Sequence, residues 1–123
     1  NTKKYINDQM VVAQKYKKPV VLEEFGFPRD GFRFSKSTST EVRDEYYQYV
    51  FDLIRQDREN GGLFAGCNFW AWGGFAEQNP DHIYWEKGDD YTGDPAQEEQ
   101  GLNSVFATDT TVEIIKTENA KLK

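Results

Sequence analysis

The sequence predicts an α/β fold built on a parallel sheet with helices over both faces, and it predicts that this sheet is incomplete. Three observations carry the reading. Segments of helical periodicity alternate with short apolar segments. The short segments are apolar at consecutive positions, the pattern of strands buried on both faces rather than of half-exposed hairpins. Only two such strands occur in 123 residues, and two strands alone would leave unpaired edges and bare apolar faces.

Residues 2–17 read as a helix, because Tyr5, Ile6, Met10, Val11 and Tyr16, with Ala13 nearby, recur near the helical period. Lys15, Lys17 and Lys18 put positive charge at its carboxyl end, where the helix dipole favours it, and Pro19 stops it. Val20-Val21-Leu22 opens a buried strand of about five residues. Gly26, Pro28 and Gly31 mark a loop. A second helix starts near residues 38–40, with Thr38 and Glu41 at capping-box spacing. Its apolar stripe is Val42, Tyr46, Tyr49, Val50, Leu53 and Ile54, and Asn60-Gly61-Gly62 ends it. Residues 63–70 are the second strand, and residues 73–103 a long irregular loop rich in Gly, Asp, Pro and Gln. A loop of that length in a compact domain is usually functional or disordered. The last helix begins at about Thr110, with Glu113 in capping-box register and Val112, Ile114, Ile115 and Leu122 as its apolar residues.

Composition narrows the chemistry. A net charge of −6 without a basic stripe argues against nucleic acid as a partner. No apolar run approaches the roughly 20 residues of a membrane span. Cys67 is the only cysteine and His82 the only histidine, which removes disulfides, cysteine-based metal clusters and histidine-based triads from this chain alone. Carboxylates remain as the reactive groups. Asn1 is not an initiator Met and begins what reads as a helix, which points to a fragment or a processed chain.

Strand alternation places Val20, Leu22 and Glu24 on one face and Val21 and Glu23 on the other. With the first set pointing inward, Glu24 lies at the carboxyl end of its strand, where barrel enzymes place their chemistry. A solvated pair of acids at a strand exit looks the same, and alternation alone does not choose between Glu23 and Glu24. In the second strand Gly66, Asn68 and Trp70 share a face suited to a crowded interior. Ala65, Cys67 and Phe69 share the face suited to covering helices. Trp70 then rises from the carboxyl end, where an indole can stack on a pyranose ring, although a lone strand Trp is more often core.

Lys18-Pro19-Val20-Val21-Leu22-Glu23-Glu24-Phe25-Gly26 resembles strand seven of the glycoside hydrolase family 5 barrels, and its Glu-Glu-aromatic-Gly form resembles the mannanase branch. Phe69-Trp70-Ala71-Trp72-Gly73 resembles the end of strand eight. Thr92-Gly93-Asp94-Pro95 and the run from Gln97 to Phe106 also look like that branch. The resemblance implies that residues 1–123 are the C-terminal segment of one catalytic domain. That segment is part of a (β/α)8 TIM barrel, from about helix 6 to helix 8 with strands 7 and 8, and not a complete barrel by itself. A typical barrel needs about 250 residues. A companion segment or chain is then expected to carry strands 1–6.

The same resemblance implies retaining endo-hydrolysis of β-1,4-mannosidic linkages in β-mannan. Glu24, directly before the aromatic residue and Gly, is the nucleophile it assigns, and Trp70 the floor of the subsite beside the scissile bond. Trp72, Trp85 and His82 are further substrate-binding candidates, although Trp72 also suits loop packing, Trp85 loop anchoring, and His82 fits a loop role better. A retaining mechanism needs a second carboxyl group about 5–5.5 Å from the first. In the family that acid/base is a Glu following Asn. Here Glu59-Asn60 and Glu118-Asn119 have the reverse order and lie on helices, and Glu77 and Glu98 match nothing, so the acid/base is not assigned to this chain. No cofactor and no metal is expected, because Asp89-Asp90 and Asp94 fit no calcium-loop spacing. Arg29 and Asp30 are expected to brace the loop as an ion pair, and Tyr46, Tyr47 and Tyr49 to pack. The resemblance places the protein outside the cytoplasm: secreted, periplasmic or at the cell surface. Competing readings are a β-1,4-glucan endohydrolase of the same family, a non-catalytic carbohydrate-binding remnant, and, more weakly, an α/β protein-interaction domain.

Overall fold

The computed structural model describes residues 1–122. Helix α1 (Thr2–Tyr16) leads into strand β1 (Val20–Phe25), a 3-10 turn (Asp30–Phe32) and helix α2 (Glu41–Glu59). Strand β2 (Phe64–Phe69), the short strands β3 (Trp72–Gly74) and β4 (Val105–Phe106), and helix α3 (Thr111–Lys121) complete the order. Strands β1 and β2 pair in parallel, as the alternation of elements predicts, and β3 and β4 form a second parallel pair. The second pair was not expected. It closes the base of what read as one long irregular loop, with Val105 N–H donating to Ala71 O at 2.8 Å and Ala107 N–H to Gly74 O at 2.8 Å.

The core lies between the helices and one face of β1 and β2. Ile6, Phe25, Tyr47, Val50, Ile54, Phe64, Val105 and Val112 are buried together there. Helix α1 stops in a Schellman arrangement: Lys17 takes φ 52°, Lys18 N–H reaches Ala13 O and Lys17 N–H reaches Gln14 O. Helix α2 is rotated by one position from the predicted stripe. Its buried side chains are Arg43, Tyr47, Val50, Phe51 and Ile54, whereas Val42 is half exposed. These positions follow the i, i+4, i+7, i+8, i+11 spacing of one helical face. A charged residue can head that face because its guanidinium is saturated. Arg43 donates at 2.7 Å to each of Phe27 O, Ser104 O and Leu102 O.

Neither capping box forms. The first amides of α2, those of Glu41 and Val42, donate to the Asp30 carboxylate at 2.9 and 3.1 Å, and Ser39 Oγ donates to the same group. The N-terminus of α2 is therefore capped from outside the helix, and the carboxylate also complements its dipole. Asp30 is thus not the partner of Arg29. The Arg29 guanidinium pairs with Asp109 at 2.5 Å and donates to the carbonyls of Thr38 and Gly101. At α3, the hydroxyls of Thr110 and Thr111 donate to Asp44 on α2 instead of capping their own helix.

The segment between β3 and β4 is held by side chains that replace the missing ladder. Asp94 is fully buried and accepts from Gly101 N–H at 2.8 Å and from Ser104 Oγ at 2.6 Å. The buried Gln100 amide donates to Asp94 O, Pro95 O and Glu98 O, and its oxygen accepts from Thr92 Oγ1 at 2.9 Å. Gln78 binds Phe34 O and Gln100 O, which ties this segment to the loop after β1. Among the described residues, no helix is long and apolar enough to cross a membrane.

Candidate active site

The two strands bring the predicted residues to one end, but not by simple alternation. Leu22 packs on the core beneath the helices, while Val21 and Glu23 are exposed on the opposite, open face. The inward set of Val20, Leu22 and Glu24 is therefore corrected: Leu22 faces the helices, and regular alternation would send Glu24 there too. A bulge prevents this. Leu22 pairs with Cys67 and Phe25 with Phe69, so Glu23 and Glu24 together face the single residue Asn68. Glu24 takes φ 51° at this point. Phe25 returns to the core, its ring 4.8 Å from that of Tyr47 and 6.1 Å from that of Tyr46. Both glutamates between Leu22 and Phe25 are left exposed. Bulges of this kind add one residue to one strand and re-aim a side chain.

A similar irregularity lies at the start of β2. Val20 pairs with Phe64 and Val21 with Gly66, which leaves Ala65 unpaired and exposed instead of facing a helix. Beyond it the expected faces hold. Cys67 and Phe69 pack toward the core, with the Phe69 ring 5.9 Å from that of Tyr47. Burial pushes the Cys67 thiol up to about 11, so it remains protonated. Asn68 is exposed on the open face, where its amide donates to Glu23 Oε2 at 2.7 Å.

Trp70 directly follows β2 and is half-buried. Its N–H donates to Phe25 O at 2.8 Å, which joins the end of β2 to the residue after Glu24. Gly26 belongs to the same junction: a Cβ there would collide with the Trp70 carbonyl, so the motif needs a residue without one. The Trp70-Ala71 peptide bond is cis. Trp72 is 54% exposed on β3. A Cβ on Gly93 would come within 2.9 Å of the Trp72 carbonyl. The strand-end Trp and the returning loop are therefore in close contact.

Trp85 and His82 lie in the loop, around Asp89. His82 Nδ1 is 2.8 Å from Asp89 Oδ2, Asn79 Nδ2 donates to Oδ1 at 2.8 Å, and Glu86 N–H donates to Oδ2 at 2.9 Å. The Trp85 indole donates to the Asp89 carbonyl at 3.1 Å, while its ring stays partly exposed. The hydrogen bond to Asp89 raises the His82 pKa above its ordinary value, and those from Asn79, Glu86 and His82 lower that of Asp89. His82 thus has a bracing partner of its own.

Other acidic residues are committed elsewhere. Asp90 accepts from Glu77 N–H at 2.9 Å, so Asp89, Asp90 and Asp94 serve three separate local roles. Glu59, Glu77 and Glu118 pair with Arg55, Lys36 and Lys121. Tyr47 is fully buried and Tyr46 packs edge-on against Phe25 and at a tilt against Phe27, so these tyrosines pack as expected. Sequence reading put Asn68 on an interior face, paired Asp30 with Arg29 and found no calcium spacing at Asp89, but it found none of their actual partners and did not single out Asp109. Those partners are distant in the chain or set by loop geometry, which no periodic pattern marks.

Glu24 thus stands exposed at the end of β1, and the residue after it is hydrogen-bonded to the backbone of Trp70 at the end of β2. Residues 1–123 match the family model described as glycoside hydrolase family 5 beta-mannosidase-like. The chain belongs to glycoside hydrolase family 5. Its fold superposes on the glycoside hydrolase family 5 mannosidase from Rhizomucor miehei with a TM-score of 0.83 and 37% identity over 97% of this chain. Two mutants of that mannosidase, one in complex with mannosyl-fructose, match at 0.83 and at 36% and 37% identity over 98% of this chain. The chain covers 30% of the length of each. No curated protein matches it.

Proposed function

We propose that this chain supplies the nucleophile of a retaining glycoside hydrolase that cleaves β-1,4-mannosidic linkages within mannan-type polysaccharides. Glu24 attacks the anomeric carbon and forms a glycosyl-enzyme, which water then resolves. The observation that carries this reading is the bulge that leaves Glu24 exposed at the end of β1, joined to Trp70 through the Phe25 carbonyl. Strands β1 and β2 act as strands 7 and 8 of the barrel. Strands 1–6 and the acid/base carboxyl group come from a companion segment. Trp70 floors the subsite at the scissile bond, Trp72 and Trp85 extend the sugar-binding surface, and His82 serves chiefly to brace the Trp85 loop. The family resemblance favours a secreted, periplasmic or cell-surface enzyme.

In the complete enzyme, Glu24→Gln should lower the hydrolysis of galactomannan by at least about a thousandfold while mannan binding persists. An unchanged rate would remove Glu24 from the chemistry. Loss of binding without loss of rate per bound substrate would favour a carbohydrate-binding role. Faster cleavage of carboxymethylcellulose than of galactomannan would move the assignment to a glucanase.

Exo-action is the second reading, and a specific observation favours it. The matching family model is beta-mannosidase-like, and one matching structure holds mannosyl-fructose, a short mannoside. The two modes differ in their early products. An endo-enzyme collapses the viscosity of galactomannan before much sugar is released, whereas an exo-enzyme releases mannose steadily at nearly constant viscosity.

A further inference from the structure

We infer that Asn68 and Glu23 form a positioning pair that sets the aim of the Glu24 carboxylate. The inference rests on Glu24 as the nucleophile and adds the means by which that side chain is presented. Leu22 and Phe25 are both committed to the core. In a regular strand an odd number of residues separates two anchors on the same face, but two residues, Glu23 and Glu24, separate Leu22 from Phe25, so one of them must break the alternation. The break is taken at Glu24, at φ 51°. A residue with a side chain holds that conformation only where its surroundings impose it.

Three contacts impose it. Phe25 is fixed after the bulge by its packing on Tyr46 and Tyr47, and its carbonyl is fixed by Trp70 N–H at 2.8 Å. Before the bulge, Glu23 is fixed by Asn68, whose amide donates to Glu23 Oε2 at 2.7 Å. Asn68 is also the one residue of β2 that faces both glutamates. Engaging Glu23 through a neutral amide does two things. It holds the Glu23 carboxylate against β2, and it does so without adding a cation beside the nucleophile. The two acids are equivalent as residue types, and Asn68 makes them different.

The test uses the complete enzyme, mannotetraose as substrate, and the variants Glu23→Ala, Glu23→Gln, Asn68→Ala and the double variant Glu23→Ala/Asn68→Ala. Misplacement of a reacting group by about 1 Å costs on the order of 100-fold. Glu23→Ala and Asn68→Ala should each lower kcat by about 10- to 100-fold with KM within about threefold. Glu23→Gln should stay within about threefold of the parent, because its amide oxygen can accept the same hydrogen bond. The double variant should be no slower than the slower single variant, as expected for two residues acting through one contact. Full kcat in Glu23→Ala and Asn68→Ala, a Glu23→Gln variant as slow as Glu23→Ala, or multiplicative losses in the double variant would each overturn the inference. If Asn68→Ala does not fold by circular dichroism, the comparison of Glu23→Ala with Glu23→Gln decides it, since Glu23 is exposed. Glu24→Gln separates the two levels. An active Glu24→Gln sinks the nucleophile reading and this inference together. An inactive Glu24→Gln beside unimpaired Glu23→Ala and Asn68→Ala sinks only the inference.

Discussion

At Glu24 a side chain occupies the left-handed region, at φ 51°. Such a conformation costs about 1–3 kcal/mol and persists where neighbours over-determine it. Here the neighbours are an aromatic anchor on one side and an amide-to-carboxylate hydrogen bond on the other. His82 shows a second residue whose state is set by one contact, the hydrogen bond to Asp89 that raises its pKa. The sign follows from linkage. A group whose folded pKa lies above its unfolded value of about 6.5 contributes stability below that pH, and loses it as pH rises through the folded pKa. The imidazole resonance of His82, assigned by its absence in His82→Gln, should titrate above 6.5. Asp89→Asn should move the midpoint down. A midpoint that Asp89→Asn leaves unchanged would dissociate His82 from Asp89 in solution.

At the scale of the element, α2 shows how tertiary contacts take over tasks usually served locally. Asp30 caps its first turn from the loop after β1, and Arg43 heads its buried face by filling three carbonyls of other segments. The cap couples α2 to the loop that leaves Glu24. Asp30→Ala should therefore lower the stability of the complete protein by about 1 kcal/mol, the usual cost of a lost cap. Chemical denaturation measures this directly, and an unchanged midpoint would mean that Ser39 or Thr40 replaces the cap. Arg29 and Arg43 share one nearby carboxylate, Asp109, at 2.5 and 3.6 Å. Burial, and next the neighbouring Arg29, lower the Arg43 pKa. The backbone carbonyls around both guanidiniums make this crowding tolerable.

At the scale of the whole molecule, among the described residues β1 pairs only with β2, and Tyr5, Val12 and Tyr16 stand exposed along α1. These three positions share a helical face at i, i+7 and i+11. A cleft of about 340 Å³ between α1 and β1 is lined by Ile6, Met10, Val20 and Leu22. An open strand edge beside an apolar cleft is the form of a sheet that continues elsewhere. Residues 1–123 alone should accordingly release no reducing sugar from mannan, and activity should appear when the segment carrying the remaining strands is supplied. Mannan cleavage by the isolated monomer would refute the divided site.

Local periodicity determined the order of the three helices with β1 and β2, the parallel pairing of those two strands, and the strand-end location of the glutamates and Trp70, whereas β3 and β4 are too short to show a period. These features are averages over several residues, and a single displaced position does not erase them. The rest depended on one-residue decisions. Whether Glu24 faces the core or the open side turns on a single extra residue opposite Asn68, and a period-2 pattern carries no mark of it. The face of α2 shifted by one position because Arg43 found carbonyls 16 to 61 residues away in the chain. The Arg29 partner lies 80 residues away, and the neighbouring Asp30 serves a helix instead. Those choices belong to tertiary structure, because the competing partners are chemically alike and only their positions in space distinguish them.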